Sequence, residues 1–298
     1  MNVSILSIGN ELLSGRTINT NATWLGDVLT KIGCVVEKQI VLPDDEKSIS
    51  NSLNFLITDK ENCIIMTGGL GPTDDDITRQ ALFKYVDTDS KFDQDYWSRL
   101  SAKFKKLGMD IPESNRNQAL VPQKGEIIDN PNGSARGFKF EISNTIIFSL
   151  PGVPSEMKAM TNASIIPWLK NKVNKVLFSN TIRTTGIPES QLIELISSPI
   201  KSKHNCDIGY YPSVFGVDVR ISSMKESYLQ SLQDQITKSL GKVVFAVGND
   251  SMEEVVVKKA LENEISLSIA ESCTGGLIGH RITQVSGSSK IFKGSMVV

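Results

Sequence analysis

Histidine, cysteine and excess charge are what this chain has least of, and each scarcity closes a route. Two histidines occur in 298 residues. His204 and His280 are isolated, with no second histidine or acid at metal-ligand spacing, so both read as surface or packing residues. The cysteines, Cys34, Cys63, Cys206 and Cys273, are far apart and form no CxxC pair, which suits reduced thiols in a cytoplasmic protein better than staples or zinc ligands. Thirty-two basic residues against thirty-three acidic ones leave a net charge of −1, with no lysine or arginine run. That gives a nucleic-acid backbone no track, so a nucleic-acid partner is not expected. No apolar stretch is long enough to span a membrane, and "MNVSILSIGNELLSG" lacks a basic start and a cleavage site, so no membrane association is expected either.

What is present is a regular alternation. Val3–Ile8, Val35–Leu42, Cys63–Thr67 and Thr145–Leu150 read as strands, and striped segments such as Trp24, Leu25, Val28, Leu29 and Ile32 read as helices between them. Residues 1–172 are therefore expected to form an α/β domain, a three-layer doubly wound and mostly parallel sheet whose ligands collect at the carboxyl ends of the strands. A long helix is expected from Phe92 through Leu107. Near 173 the pattern changes to a small α+β module, 173–249, with strands over 175–185, 217–223 and 242–247 and helices near 188–198 and 227–240. Tyr210, Tyr211 and Phe215 read there as core aromatics. The segment 250–298 begins another α/β domain with a helix over 252–262, a strand over 266–270 and a strand, turn and helix in "AESCTGGLIGHRI".

The stretch "MTGGLGPTDDDIT", residues 66–78, combines two opposed preferences. A glycine turn after an apolar strand suits phosphate oxygens, yet Asp74, Asp75 and Asp76 follow at once. Helix capping alone explains one of these acids, or two. Glu11 follows the first strand and Asp44 the second, so Glu11, Asp44 and Asp76 are expected to converge on one rim, although any one of them alone reads as a solvated loop residue. Carboxylates without histidines suit a hard divalent cation such as Mg²⁺ or Mn²⁺, which lets a pyrophosphate share the site with them.

"SIGNELLSG", "TNATWL", "TGGLGPTDDDIT", "NRNQALVP", "NPNGSARGF" and "LPGVPSEM" resemble, in order and spacing, the competence/damage-inducible protein A (CinA) family. The resemblance covers essentially the whole chain. It implies a molybdopterin-binding-like first domain that cleaves ADP-ribose to AMP and ribose 5-phosphate with a divalent cation, a KH-type middle domain, and a C-terminal nicotinamide-nucleotide amidase. It implies Asp44 and Asp76 as catalytic, and Asp75 with Asp76 as metal ligands. Glu11, Asn19, Asn21, Gly68, Gly69, Gly71, Thr73, Thr78 and Ser134 are the implied substrate contacts. One departure stands out, since Gly133, Ser134, Ala135, Arg136 and Gly137 occupy positions where the family is expected to have G-T-A-P-G.

Ser272, by itself, reads as a turn and helix cap. The resemblance makes it the amidase nucleophile, with a tyrosine and a lysine expected just after "KGSMVV", where Val298 is the last residue given. Lys290 and Lys293 do not match the lysine position, so Ser272 is expected to lack a base and the amidase to be inactive. The middle module has no GxxG clamp and is expected to support a homodimer rather than bind RNA. Two other functions fit the same fold: binding or adenylylating a molybdopterin-type ligand, and a non-enzymatic binding role associated with competence.

Overall fold

The computed structural model describes residues 1–57, 62–173, 177–201 and 205–298; His204 and the start of the strand expected at 175 lie outside them. Two compact units are present, Met1–Val176 and Leu177–Val298.

The first unit opens with β1 (Asn2–Ile8), a one-turn helix α1 (Asn10–Leu13), α2 (Thr20–Lys31), β2 (Val35–Leu42), α3 (Glu46–Leu56) and β3 (Asn62–Thr67). It continues through α4 (Thr78–Tyr85), β4 (Ser90–Phe92), α5 (Gln94–Lys106), a 3₁₀ segment (Glu113–Ala119), β5 (Leu120–Pro122), β6 (Glu126–Ile128), β7 (Gly137–Ile142), β8 (Thr145–Leu150), α6 (Pro154–Met160) and α7 (Ile166–Lys170). The main sheet runs β2-β1-β3-β8-β7-β6. Its first four strands are parallel, and β7 and β6 add an antiparallel edge. Strand order reverses between β1 and β3, which opens a crevice at their carboxyl ends.

Every residue of β3 and β8 is buried. A strand covered on both faces reads as a continuous apolar run, as these do. Side-chain alternation splits them between two cores. Val3, Ile5, Cys63, Ile65 and Phe148 pack with Leu25, Leu29, Met157 and Leu169 of α2, α6 and α7. Leu6, Ile64, Met66 and Ile147 face the other way, onto Ile49, Leu53, Ala81 and Leu82 of α3 and α4. The expected three-layer α/β architecture is thus present. The long helix starts later than expected because Phe92 pairs with Leu120 in a short antiparallel ladder, and Asp93 then caps α5 by accepting from the Tyr96 N–H.

The second unit holds β9 (Phe178–Thr184), α8 (Glu189–Leu195), α9 (Ser197–Lys201), β10 (Cys206–Ser213), β11 (Gly216–Ser223), α10 (Glu226–Leu240) and β12 (Val244–Val247). These strands form an antiparallel sheet of order β10-β11-β9-β12 around Ile182, Leu192, Val219, Ile221, Leu232 and Ile236. β10 was not expected from the sequence, and the aromatic reading needs correction there. Tyr210 packs on this core, whereas Tyr211 and Phe215 at the hairpin are exposed. Phe215 lies under the Arg281 guanidinium, 4.8 Å from ring centre. The last part of the unit contains α11 (Met252–Glu262), β13 (Leu267–Glu271), α12 (Leu277–Thr283) and β14 (Phe292–Val297), with β13 and β14 parallel.

Trp24, Trp97 and Trp168 all lie in the first unit, so tryptophan fluorescence follows that unit selectively. Leu25 is fully buried and Leu13 is exposed. Leu25→Ala is expected to lower the first unit's stability by about 2–5 kcal/mol and Leu13→Ala by less than about 0.5 kcal/mol, read as shifts in the urea midpoint of that fluorescence.

Candidate functional site

At the crevice between β1 and β3 the backbones come very close. Gly68, just after β3, has φ of +106°, and a Cβ there would sit 2.1 Å from the Ile8 carbonyl oxygen, so only glycine lets the two strand ends stand side by side. Its N–H donates to Leu150 O at 3.0 Å, tying β8 to the same rim. The turn that follows is donor-rich. Among the described residues, no acceptor is found for the N–H groups of Gly69, Leu70 and Gly71, and all three residues line one cavity of about 540 Å³, a volume suited to a nucleotide-sized ligand.

Acids gather opposite these donors. Glu11, Asp44, Asp75, Asp76 and Glu156 line the cavity, and among the described residues no lysine, arginine or histidine does. Asp44 reaches it because the Asn10 N–H donates to its Oδ2 at 2.9 Å, while its neighbour Asp45 turns away to cap α3. Asp76 is held by Thr73, whose N–H and hydroxyl both donate to Oδ2, leaving Oδ1 unbonded among the described residues. Gly71 must be small for this: its Cβ would lie 2.4 Å from the Asp76 carboxylate. Asp74 stays outside the cavity lining.

The expected substrate contacts divide into two groups. Glu11, Asn19, Asn21, Gly68, Gly69, Gly71 and Ser134 line the cavity. Thr73 and Thr78 do not: Thr73 orients Asp76, and the buried Thr78 donates its N–H to Gly69 O at 3.0 Å, closing the turn. Asn19 also caps α2, accepting from the Ala22 N–H, and the Asn21 amide donates to Gly152 O at 2.7 Å, which fixes α2 against the loop before α6.

Asn115, Gln118 and Glu156 line the cavity as well, and sequence reasoning missed them although "NRNQALVP" and "LPGVPSEM" contain them. Glu156 is set by Asn130, whose amide donates to it and to Ala135 O while its carbonyl oxygen accepts from the Asn132 and Gly133 N–H groups. That one side chain shapes the loop carrying Ser134. Arg136, the departure from the family pattern, is absent from the cavity lining: it is buried, pairs with Asp93 at 2.7 Å and lies 3.8 Å from the Tyr96 ring centre. Tyr96 in turn donates its hydroxyl to Ser134 O. The arginine therefore supports the loop from behind.

Ser272 lies in the second unit, exposed, and no hydrogen bond to its hydroxyl is found among the described residues. The N-terminus of α12 beyond it is already filled, because the Ile278 and Gly279 N–H groups donate to the Glu271 carboxylate at 2.9 and 2.8 Å. Burial pushes the Glu271 carboxyl up, but these N–H groups, with the Thr274 and Ser295 hydroxyls, outweigh it and bring the pKa down to about 2.

A family profile described as a probable molybdopterin binding domain matches residues 4–171. Profiles for the KH domain of damage-inducible protein CinA and for the CinA C-terminal domain match residues 179–246 and 249–298. A CinA-like protein of Prochlorococcus marinus (strain AS9601) is 36% identical over 305 residues, covering 99% of this chain and 72% of that protein. A CinA-like protein of Dictyoglomus turgidum is 33% identical over 303 residues, covering 100% of this chain and 74% of that one. Among solved structures, a CinA protein described as of unknown function from Thermoplasma acidophilum is 35% identical, covers 54% of this chain and 94% of its own, and superposes with a TM-score of 0.47.

A depressed carboxyl contributes stability above its unfolded pKa and loses it as pH falls through the folded one. Between pH 5 and pH 2, amide exchange protection at Ile278 and Gly279 is expected to fall as Glu271 protonates. In Glu271→Gln the protection should be lower at pH 5 and nearly flat over that range; an identical profile in both proteins would contradict the capping role.

Proposed function

The chain belongs to the CinA family, and from that premise we propose that its first unit hydrolyses a nucleotide pyrophosphate with a divalent cation, most specifically ADP-ribose to AMP and ribose 5-phosphate. The observation that carries the proposal is the pairing of three unpartnered N–H groups with five carboxylates in a cavity that no basic side chain lines, among the described residues. Such a cavity attracts phosphate through backbone dipoles and repels it through acids, so it accepts the anion when a cation sits between them.

The residues fit a Mg²⁺- or Mn²⁺-type ion rather than a caged one. Among the described residues no three His, Cys, Asp or Glu side chains are grouped to hold a metal by themselves. An ion that keeps water and shares phosphate oxygens with one or two carboxylates needs no such cage. Asp76 through its unbonded Oδ1, with the exposed Asp75 beside it, would hold the ion. When bound, the ion supplies charge neutralisation and polarises a phosphoryl oxygen.

The chain's own residues do the remaining work. The N–H groups of Gly69, Leu70 and Gly71 bind the pyrophosphate and fix its orientation. Asp44, with one oxygen already taken by Asn10, offers the other to accept a proton from the attacking water. Asn115, Gln118 and Ser134, which line the same cavity, bind the nucleoside in this reading. The second reading, a molybdopterin-type ligand at the same turn, is favoured by the description of the matching family profile.

Four free cysteines, and no helix among the described residues long and apolar enough to cross a membrane, suit the cytoplasmic setting included in the proposal. The proposal also includes a homodimer, supported by the middle module of residues 173–249. Sedimentation equilibrium is expected to give twice the chain mass, and a monomer at micromolar concentration contradicts it.

A panel of ADP-ribose, other nucleotide pyrophosphates and molybdopterin, with and without Mg²⁺ or Mn²⁺, separates the readings. AMP release is expected from ADP-ribose only with the cation. Asp76→Asn should lower it at least about a hundredfold and Asp44→Asn comparably, with unchanged circular dichroism. AMP release undiminished in Asp76→Asn or by excess chelator sinks the hydrolase proposal. Nicotinamide mononucleotide in the same panel should yield no more ammonia than a Ser272→Ala control.

A further inference from the structure

Behind the glycine turn lies a guanidinium with no part in the chemistry above. Arg79, the second residue of α4, is only 4% exposed. Its Nη2 donates to Leu70 O at 2.6 Å, while its Nε is buried without a partner among the described residues. The other buried arginine, Arg136, has the Asp93 carboxylate in contact and an aromatic ring against it. Arg79 has no ion-pair partner among the described residues, and Arg136 repels it. Burial lowers its pKa to about 10, with the Asp76 carboxylate opposing the drop, so it stays charged near neutral pH.

Two consequences follow from that placement. The Leu70–Gly71 peptide is trans, as no cis bonds occur, so its C=O and N–H point in opposite directions. Holding Leu70 O onto a buried guanidinium therefore turns the Gly71 N–H away from Arg79. Gly71 lines the cavity and Arg79 does not. The second consequence is electrostatic: in a cavity whose charged lining residues, among the described ones, are all acidic, a fixed positive charge behind Asp76 favours anions and disfavours added cations.

We propose that Arg79 is a positioning residue that aims the Gly71 N–H at substrate phosphate and, as a fixed cation behind Asp76, sets the balance between phosphate and divalent-cation binding. This rests on the reading of the cavity as a phosphate-and-cation site. It also accounts for why a buried guanidinium is kept with a donor unpaired, an arrangement that costs stability wherever it has no use.

Charge removal moves the two ligands in opposite directions, which loss of structure does not. The test measures Mn²⁺ alone by electron paramagnetic resonance and inorganic pyrophosphate with Mg²⁺ by calorimetry, on the full chain. In Arg79→Met, Mn²⁺ is expected to bind roughly tenfold tighter and pyrophosphate roughly tenfold weaker. Arg79→Gln, which keeps a donor for Leu70, should tighten Mn²⁺ similarly with a smaller loss of pyrophosphate. Arg79→Lys, which keeps the charge, should leave Mn²⁺ within about twofold of wild type. If wild type binds both probes and the neutral variants weaken both together, or change neither, the inference is overturned and the reading of the cavity stands. If wild type binds neither probe, the reading of the cavity fails and the inference with it.

Discussion

The approach of Gly68 to the Ile8 carbonyl is the contact on which the site depends. Two parallel strands can end side by side at a reversal of strand order only if one chain leaves without a side chain in the way, and Gly68 does so with a backbone angle that other residues resist. From that point the turn of residues 69–73 has one place to go. It runs over the strand ends toward Asp44 and Glu11 and is closed behind by Thr78. Any side chain at position 68 would separate β1 from β3 at the level where the acids and the donors must meet.

The site's electrostatics follow from the same geometry. Three N–H groups without an acceptor among the described residues line a cavity with carboxylates that the turn before α4, the ends of β1 and β2, and α6 bring in. Hydrogen bonds within the chain fix three of the acids: Asn10 holds Asp44, Thr73 holds Asp76 and Asn130 holds Glu156. Each of these three thus spends one oxygen on the protein. Among the described residues no basic side chain lines the cavity, and positive charge lies behind it, in Arg79 beneath the turn and Arg136 beneath the Ser134 loop. This arrangement keeps the ligand face acidic while its supports are cationic.

Much of the sheet was legible because buried parallel strands have no polar face to confuse the pattern, as in "CIIM" and "TIIF". Glu11, Asp44 and Asp76 were legible as strand-end acids for the same reason. Glu156, Asn115 and Gln118 were not, since a helix and a 3₁₀ segment far along the chain bring them in, and only tertiary packing relates them to the turn. β10 was missed because "CDIGYYPS" mixes glycine, proline and polar residues in an edge strand, where such residues are tolerated. Thr73 and Thr78 read in the sequence as ligand contacts; a hydroxyl beside a phosphate-type turn looks the same in sequence whether it faces a ligand or holds the backbone. Arg136 reads as a change at the substrate loop, yet its long side chain passes behind the loop, and a residue's direction is not a property of its position alone.

The carboxylate of Glu271 gives the second unit a built-in ligand. It occupies the Ile278 and Gly279 N–H groups from within the same chain. A tethered anion acts at an effective concentration far above that of any dissolved one, so free phosphate or nucleotide competes poorly for those groups. Among the described residues, the turn at Gly69–Gly71 has no such tenant. Of these two donor clusters, one is saturated by the chain itself and the other is left for the solution.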